Sequence, residues 1–339
     1  MTTPSGQISA QDIKNEFGET GSGRVALGSY RVSQTKGQLT LNIGDGVPGP
    51  NQTISYDNMR NKQLNIVIDY YADNANLNRA ANGANTMNAK NRYVNQNERV
   101  HVIGGLRSKP SNTSGHRVRI HVNQTLGGAK GGSNVCALRT GSWNSGTNLS
   151  VDVGSSGKIY GGGGDGGEGG NTDDAGNRGQ DGASALGIDY NGTVINVSSG
   201  ALLRCGFGGG GGGGCGRQQD KGGDRRAGGG GGGGGAGFPA GSGGDRGRTH
   251  VDGGDGTAGS LNNPGDGGGG GNNHNQAYGG GGGEGGSQNQ AADAGAGAQY
   301  GSLGGGSEGS AIRKQSGVNW SFGTNNGSIV GNQNQTGVS

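Results

Sequence analysis

Aromatic residues make up only 4% of this 339-residue chain, and hydrophobic residues 27%. An ordinary globular domain is roughly half apolar, so a single large oily core is excluded. No run of about 18 apolar residues occurs, which removes any membrane-spanning helix. The opening "MTTPSGQISAQD" has neither the basic nor the apolar region of a secretory signal. The formal net charge is +3, too small to steer the chain to nucleic acid. Three cysteines, Cys136, Cys205 and Cys215, are an odd number and make no disulfide framework. Synthesis in a reducing cytoplasm without general export is the expectation.

What is abundant is glycine, with 88 residues. Glycine at this density ordinarily reads as low complexity or disorder. Its uneven distribution argues otherwise, because the first 150 residues are β-rich sequence of an ordinary kind. Near the start, "ISAQDIKN" at Ile8 is repeated as "ISYDNMRN" at Ile54. In the first copy Ser9 and Asp12 form a capping box that predicts a short helix from Ala10 to Phe17, stopped by Gly18. The second copy predicts a single turn. The unit reads as a docking piece, with Ile8, Asp12, Ile13, Phe17, Ile54 and Met59 as its contact residues. From 64 to 153, "LNIVIDY", "RVHVIGG", "HRVRIHVN" and "NLSVDV" alternate with period two, which predicts strands of a small antiparallel domain. A second repeat brackets the glycine region: "LSVDVGSSGKIYG", "TVINVSSGALLR" and "VNWSFGTNNGSIVG". Strand, turn closing on Gly157, Gly200 or Gly327, and returning strand read as a hairpin-like unit.

The glycine runs fall at 161–164, 208–214, 228–235, 267–271 and 279–283. Ordering glycine is costly, because it loses more backbone freedom than any other residue. A bundle of polyproline-II-type helices offsets that cost. Such helices have three residues per turn and no internal hydrogen bonds, so every N–H and C=O faces a neighbour. Flexible linkers are the alternative, but linkers do not need runs of similar length punctuated by loops rich in Arg, Asp and aromatics. The expected fold is therefore mainly β: an antiparallel β domain, then a domain of packed polyglycine helices bracketed by β hairpins. Its units are a docking segment 1–62, a β domain 63–160, a glycine-rich domain 161–311 and a C-terminal β segment 312–339.

Chemistry has little to stand on. No P-loop is present, and GxGxxG matches carry no weight among so many glycines. His101, His116 and His121 lie on alternating strands without a metal-ligand motif. Asp165, Glu168, Asp252 and Asp255 do not form the GGxGxD calcium repeat. No catalytic residue, metal or cofactor is expected. Cys205 and Cys215 flank a glycine run; a bridge there and a fully extended run exclude each other, since a disulfide needs Cα atoms within about 7 Å, and free thiols are the favoured reading.

"SGQISAQDIKNEFGETG", "LSVDVGSSGKIYGGGGDGG", "GRQQDKGGDRRAGGGGGGGGAG" and "GVNWSFGTNNGSIVG" together resemble glycine-rich virion proteins of tailed bacteriophages, especially phages of cyanobacteria. Members of that group include adhesins at the tips of long tail fibres, where an attachment domain precedes a sandwich of glycine helices whose loops bind the host. The resemblance implies a virion tail protein made in the host cytoplasm. It implies partners among other tail or fibre proteins, and a host-surface polysaccharide or outer-membrane receptor. Nucleic-acid binding and membrane insertion are not expected; a homotrimer and a single copy on a trimeric fibre both fit. Arginine forks and aromatic rings dominate contact energy at interfaces. The loop residues Arg217, Arg225, Arg226, Phe238, Arg246, Arg248, His250, Asn272, Asn273, His274, Tyr278 and Tyr300 are therefore the receptor-binding candidates. The alternative is a purely architectural tail or baseplate adaptor, in which these residues only cap the glycine domain and keep it soluble.

Overall fold

The structure is a computed structural model. It describes residues 4–16, 27, 51–60, 65–70, 100–102, 105–107, 114–115, 117–128, 130–220, 223–273 and 277–338. The chain opens with α1 (Ala10–Glu16), and strands follow in chain order. They are β1 (Asn65–Tyr70), β2 (Val100–Val102), β3 (Gly105–Arg107), β4 (Arg117–Val122), β5 (Thr125–Gly127) and β6 (Cys136–Arg139). Next come β7 (Asn148–Val153), β8 (Lys158–Tyr160), β9 (Ser184–Ile188), β10 (Thr193–Val197) and β11 (Leu202–Arg204). Two hairpins lie in the glycine region, β12 (Gly216–Asp220) with β13 (Gly223–Ala227) and β14 (Asn272–Asn273) with β15 (Ala277–Tyr278). The last strands are β16 (Ile312–Lys314), β17 (Trp320–Asn325), β18 (Ser328–Val330) and β19 (Gln335–Thr336).

The mainly β expectation holds, but the pairing is different. Strands β4, β7, β10 and β17 pair side by side in parallel; so do β5, β8, β11 and β18, and likewise β6, β9, β16 and β19. Successive strands thus belong to three different sheets, and the chain winds as a three-sided parallel prism of four coils. Antiparallel pairing among the described residues is confined to β1–β2–β3, the two hairpins and one bridge, Ser287 to Gln290. Period-two alternation is the same for parallel and antiparallel strands, so the pattern located the strands without fixing their direction.

The recurring "strand–turn–strand" unit is likewise not a hairpin. Its two strands lie in different sheets, so each copy is the same corner of a successive coil. The corners stack by backbone hydrogen bonds: Ser198 N–H donates to Val153 and Leu202 N–H to Gly157, and in the next coil Asn326 donates to Val197 and Ser328 to Ala201. Gly200 turns the chain with φ of +86°, a conformation that side chains rarely adopt.

The prism is filled by side chains in register. Ile120, Val151 and Ile195 stack on one face and Leu126, Ile159 and Leu203 on the next, all buried. The third face adds Leu138, Leu186 and Ile312 to the same core. Ile13 and Met59, fully buried, belong to that cluster, with Ile8 and Ile54 packed against it. The two copies of the N-terminal repeat share their cap chemistry. Ser9 N–H and Oγ both donate to Asp12 Oδ2, at 2.8 and 2.7 Å, and Ser55 N–H and Oγ donate to Asn58 Oδ1 at 2.8 and 3.0 Å. The helix and the single turn (Asp57–Met59) form as expected. Phe17, expected to end the helix, lies outside the described residues.

The glycine runs leave the prism as two insertions, one between β8 and β9 and one between β11 and β16. They are extended segments, at 161–170, 174–183, 206–215, 228–237, 241–247, 253–259, 265–271, 279–286, 293–296 and 303–309, joined to one another by backbone hydrogen bonds with period three. The segment 228–237 is the clearest case. The N–H groups of Gly229, Gly232 and Gly235 donate to Gly170, Gly167 and Gly164. Those of Gly230, Gly233 and Ala236 donate to Gly280, Gly283 and Gly286, and those of Gly231 and Gly234 to Gly254 and Thr257. Its carbonyls accept from 206–215, 241–247 and 265–271 with the same period. It is therefore ringed by six neighbours and leaves no N–H unpaired. The adjoining segment 206–215 bonds in the same way to 161–170, 174–183, 228–237, 279–286, 293–296 and 303–309. A Cβ on Gly232 would run into the carbonyl of Gly210, and one on Gly210 into that of Gly283. Only glycine permits this spacing.

The slab is rooted on the prism by side chains. Arg204 lies 4.7 Å over the Tyr160 ring, and Tyr160 meets Phe238 edge-on at 6.4 Å. Arg204 also donates to Asn262 Oδ1 at 2.8 Å and to the Leu261 carbonyl. Burial pulls the Arg204 pKa down, opposed by Tyr160 and Cys205. Lys130 pairs with Asp165 at 2.6 Å. Cys205 and Cys215, both free and buried, stand at opposite ends of one extended run, which excludes a bridge.

Candidate functional site

Alternating run directions sort the loops onto two ends. Loops 238–240, 260–264 and 287–292 return at the prism end. Loops 171–173, 216–227, 248–252, 272–278 and 297–302 converge at the far end, where most of the described residues are polar or aromatic.

The far end is organised around the β12–β13 hairpin. Register places Arg217 opposite Arg226 and Gln218 opposite Arg225. Strand alternation puts the first pair on one face and the second on the other. Two like charges directly opposite are destabilising, and two carboxylates resolve this. Arg217 Nε lies 2.8 Å from Asp224 and its Nη1 3.3 Å from Asp173; Arg226 Nη2 lies 2.8 Å from Asp224 and 3.2 Å from Asp173. Asp173 reaches this position from a backbone with φ of +62°. Arg217 also donates to the Tyr300 hydroxyl at 3.4 Å, which ties in a third loop. The hydrogen bond to Tyr300, then that to Asp224, holds the Arg217 guanidinium firmly protonated. The hydrogen bond from Arg217 holds Asp224 below its ordinary pKa.

Neighbouring loops are pinned to this hairpin. A parallel bridge joins Ala227 to Val251, and the Arg248 N–H donates to Asn171 Oδ1 at 2.8 Å. The buried Asn273 donates to the Arg226 carbonyl at 3.2 Å, which seats the β14–β15 hairpin. Arg246 faces Asp252 at 3.6 Å and Asp255 at 4.0 Å.

The candidate residues separate accordingly. Arg217, Arg226, Asn273 and Tyr300 belong to the framework of the far end. Arg225, Arg248, His250, Asn272 and Tyr278 are there too, at least partly exposed, with Tyr278 at 54%. Arg246 sits on a run just short of the end. Phe238 is at the opposite end, against Tyr160. His274 lies outside the described residues. Of the docking residues, Ile13 and Met59 are enclosed in the prism's own core. Sequence reasoning weighted bases and rings, so it passed over Asp173 and Asp224, the residues that fix the hairpin. The alternation of sign in "GRQQDKGGDRRA" is the signal that points to them.

Among the described residues, no group of three His, Cys, Asp or Glu side chains is placed to hold a metal, and no helix is long and apolar enough to cross a membrane. Burial pushes the thiols of Cys136 and Cys205 up to about 12 and raises that of Cys215, so none is a nucleophile at neutral pH. A family model described as "Phage tail fibre adhesin Gp38" matches residues 63–334. No curated protein matches the chain. A solved structure, of the gp37–gp38 adhesin tip complex of the bacteriophage S16 long tail fiber, is similar over 65% of this chain and 72% of its own, at 22% identity and a TM-score of 0.34.

Proposed function

This chain belongs to the phage tail fibre adhesin Gp38 family, whose model spans most of it, and on that footing we propose how its parts divide the work of attachment. As a tail fibre adhesin it is a component of the virion and acts by binding, not by catalysis. The far end of the slab is the receptor face, displaying Arg225, Arg248, His250, Asn272 and Tyr278. One observation carries this reading: five loops of unlike sequence converge on one end of a lattice in which about two residues in three are glycine. The runs are polyglycine helices of the polyproline II type, a reading supported by their period-three hydrogen bonding. At about 3.1 Å per residue, a ten-residue run holds the loops roughly 30 Å from the prism.

The prism is the attachment module, and its last coil is the seat on the fibre. Strands β17, β18 and β19 each end a sheet, and Trp320, Phe322 and Ile329 lie only partly buried at the edge of the core. That open end fits another protein of the fibre, as gp37 accompanies gp38 in the S16 complex. The chain is made in the host cytoplasm, where free buried thiols are stable. Exchanging residues 216–227 and 272–278 for those of a relative with a different host tests the reading. Adsorption is expected to follow the grafted loops. Unchanged adsorption, with the slab buried in a virion map, would favour the architectural adaptor instead.

A further inference from the structure

The slab is acidic along its sides and near neutral at its far end. Along the ten runs stand two bases, Arg178 and Arg246, against ten acids. Glu168, Asp245, Asp266, Glu284, Asp293 and Glu308 are all exposed. The far end does not share this balance: its five loops together carry five bases against four acids. The Debye length is about 10 Å in 0.1 M salt, well under the ~30 Å of a run. An approaching surface therefore meets the acidic sides and the tip, which lacks their acidic excess, as separate regions.

Not every arginine at the tip is available. Asp173 and Asp224 neutralise Arg217 and Arg226. Arg225, on the other face of the hairpin, has no carboxylate partner among the described residues, and neither has Arg248. The bridge from Ala227 to Val251 holds their two segments side by side. The adjoining hairpin contributes the exposed ring of Tyr278.

We infer that the far end binds a polyanionic saccharide, with Arg225 and Arg248 gripping its phosphate or carboxylate groups and Tyr278 meeting a sugar ring. This deepens the receptor-face reading and rests on it. A planar guanidinium takes such oxyanions by paired hydrogen bonds. The acidic sides repel the same polymer, so the slab meets an anionic glycan layer end-on, and long-range attraction is confined to the loops. An acidic protein surface would satisfy the arginines as well, and poly-glutamate stands for it in the test below.

The test uses the full chain and immobilised dextran sulfate, neutral dextran and poly-glutamate. Wild type is expected to bind dextran sulfate at least ~10-fold more tightly than either other polymer, with affinity falling steeply as salt rises. The Arg225→Glu/Arg248→Glu protein is expected to lose ~10-fold or more, the sign expected when a rim charge is reversed. Neither side chain bonds to another of the described residues, and an unchanged melting temperature checks that the fold does not depend on them. The Glu168→Lys/Glu284→Lys protein is expected to gain affinity by adding an attractive side face. Equal binding of poly-glutamate would overturn the saccharide assignment, and an unaffected double arginine variant would overturn the role of the two arginines. Adsorption to host cells separates this inference from the reading beneath it. If replacing residues 217–226 by a short turn abolishes adsorption while the double variant adsorbs normally, the receptor face stands and this inference falls. If neither change affects adsorption, both fall.

Discussion

The prism and the slab solve the same problem with opposite means. Both are built of extended chain, and both must pair every buried backbone group. The prism pairs its backbone within sheets and fills its interior with Ile, Leu and Val, so its cohesion is the burial of apolar side chains. The slab has almost no side chains to bury, and its interior is the hydrogen-bond lattice itself. A net intramolecular hydrogen bond contributes about 0.5–1.5 kcal/mol, and fixing one residue's backbone costs about 1–2 kcal/mol. The lattice by itself is close to break-even, which explains why it is rooted at several points on a conventional core. Arg204, Tyr160 and Phe238 supply one root, and the Lys130–Asp165 pair another.

The contrast can be broken first in the prism. Leu203 is fully buried, and Leu203→Ala is expected to cost about 2–5 kcal/mol by leaving a cavity, read as a fall in the denaturant midpoint at unchanged slope. The slab should respond to the opposite change. Gly232→Ala adds one methyl where the carbonyl of Gly210 already stands, and overpacking of this kind costs about 1–3 kcal/mol. Gly269 is the control, because a Cβ there meets nothing within 4 Å. Gly269→Ala is expected to stay within about 0.5 kcal/mol of wild type, the usual range for an uninvolved surface site. Equal losses from the two alanines would mean that lattice spacing does not hold the slab together.

The sequence was informative where a residue type has one physical use. Repeated Ile-Ser-x-x-Asp/Asn marked a capped short helix and a single turn, and both form. "GGGGGGGG" between Ala227 and Ala236 marked a chain that must be approached from every side, and the run has six bonded neighbours. What could not be read was how distant segments meet. The alternation in "LSVDV" fits either strand direction, so the prism passed for an antiparallel sheet and its corners for hairpins. Phe238 and Tyr278 both lie in loops beside glycine runs, and only the direction of each run separates a root from a tip. Ile13 and Met59 looked like contacts for a partner because nothing in their own segment shows that the prism core encloses them.

The smallest effect is expected at the tip, where the slab gives way to ordinary ion pairs. The Asp224 carboxyl is held below its ordinary value of 3.8, chiefly by the hydrogen bond from Arg217. A carboxylate whose pKa is depressed on folding contributes stability above its unfolded pKa and loses it as pH falls through the folded value. Arg217 keeps its charge throughout, so the hairpin should hold its geometry from neutral pH down to about 4 and loosen only below that. The pairs are partly exposed and screened by solvent, and the prism, held by buried side chains, should not follow. Amide spectra recorded across that range are therefore expected to show shifts in β12 and β13 before any in β4 or β7. The double variant Asp173→Asn/Asp224→Asn is expected to remove the step, since neither amide has a proton to gain. If the hairpin titrates as before in that variant, the ion pairs do not organise the receptor face, and the framework must be sought in Asn273 and the backbone bridge from Ala227 to Val251.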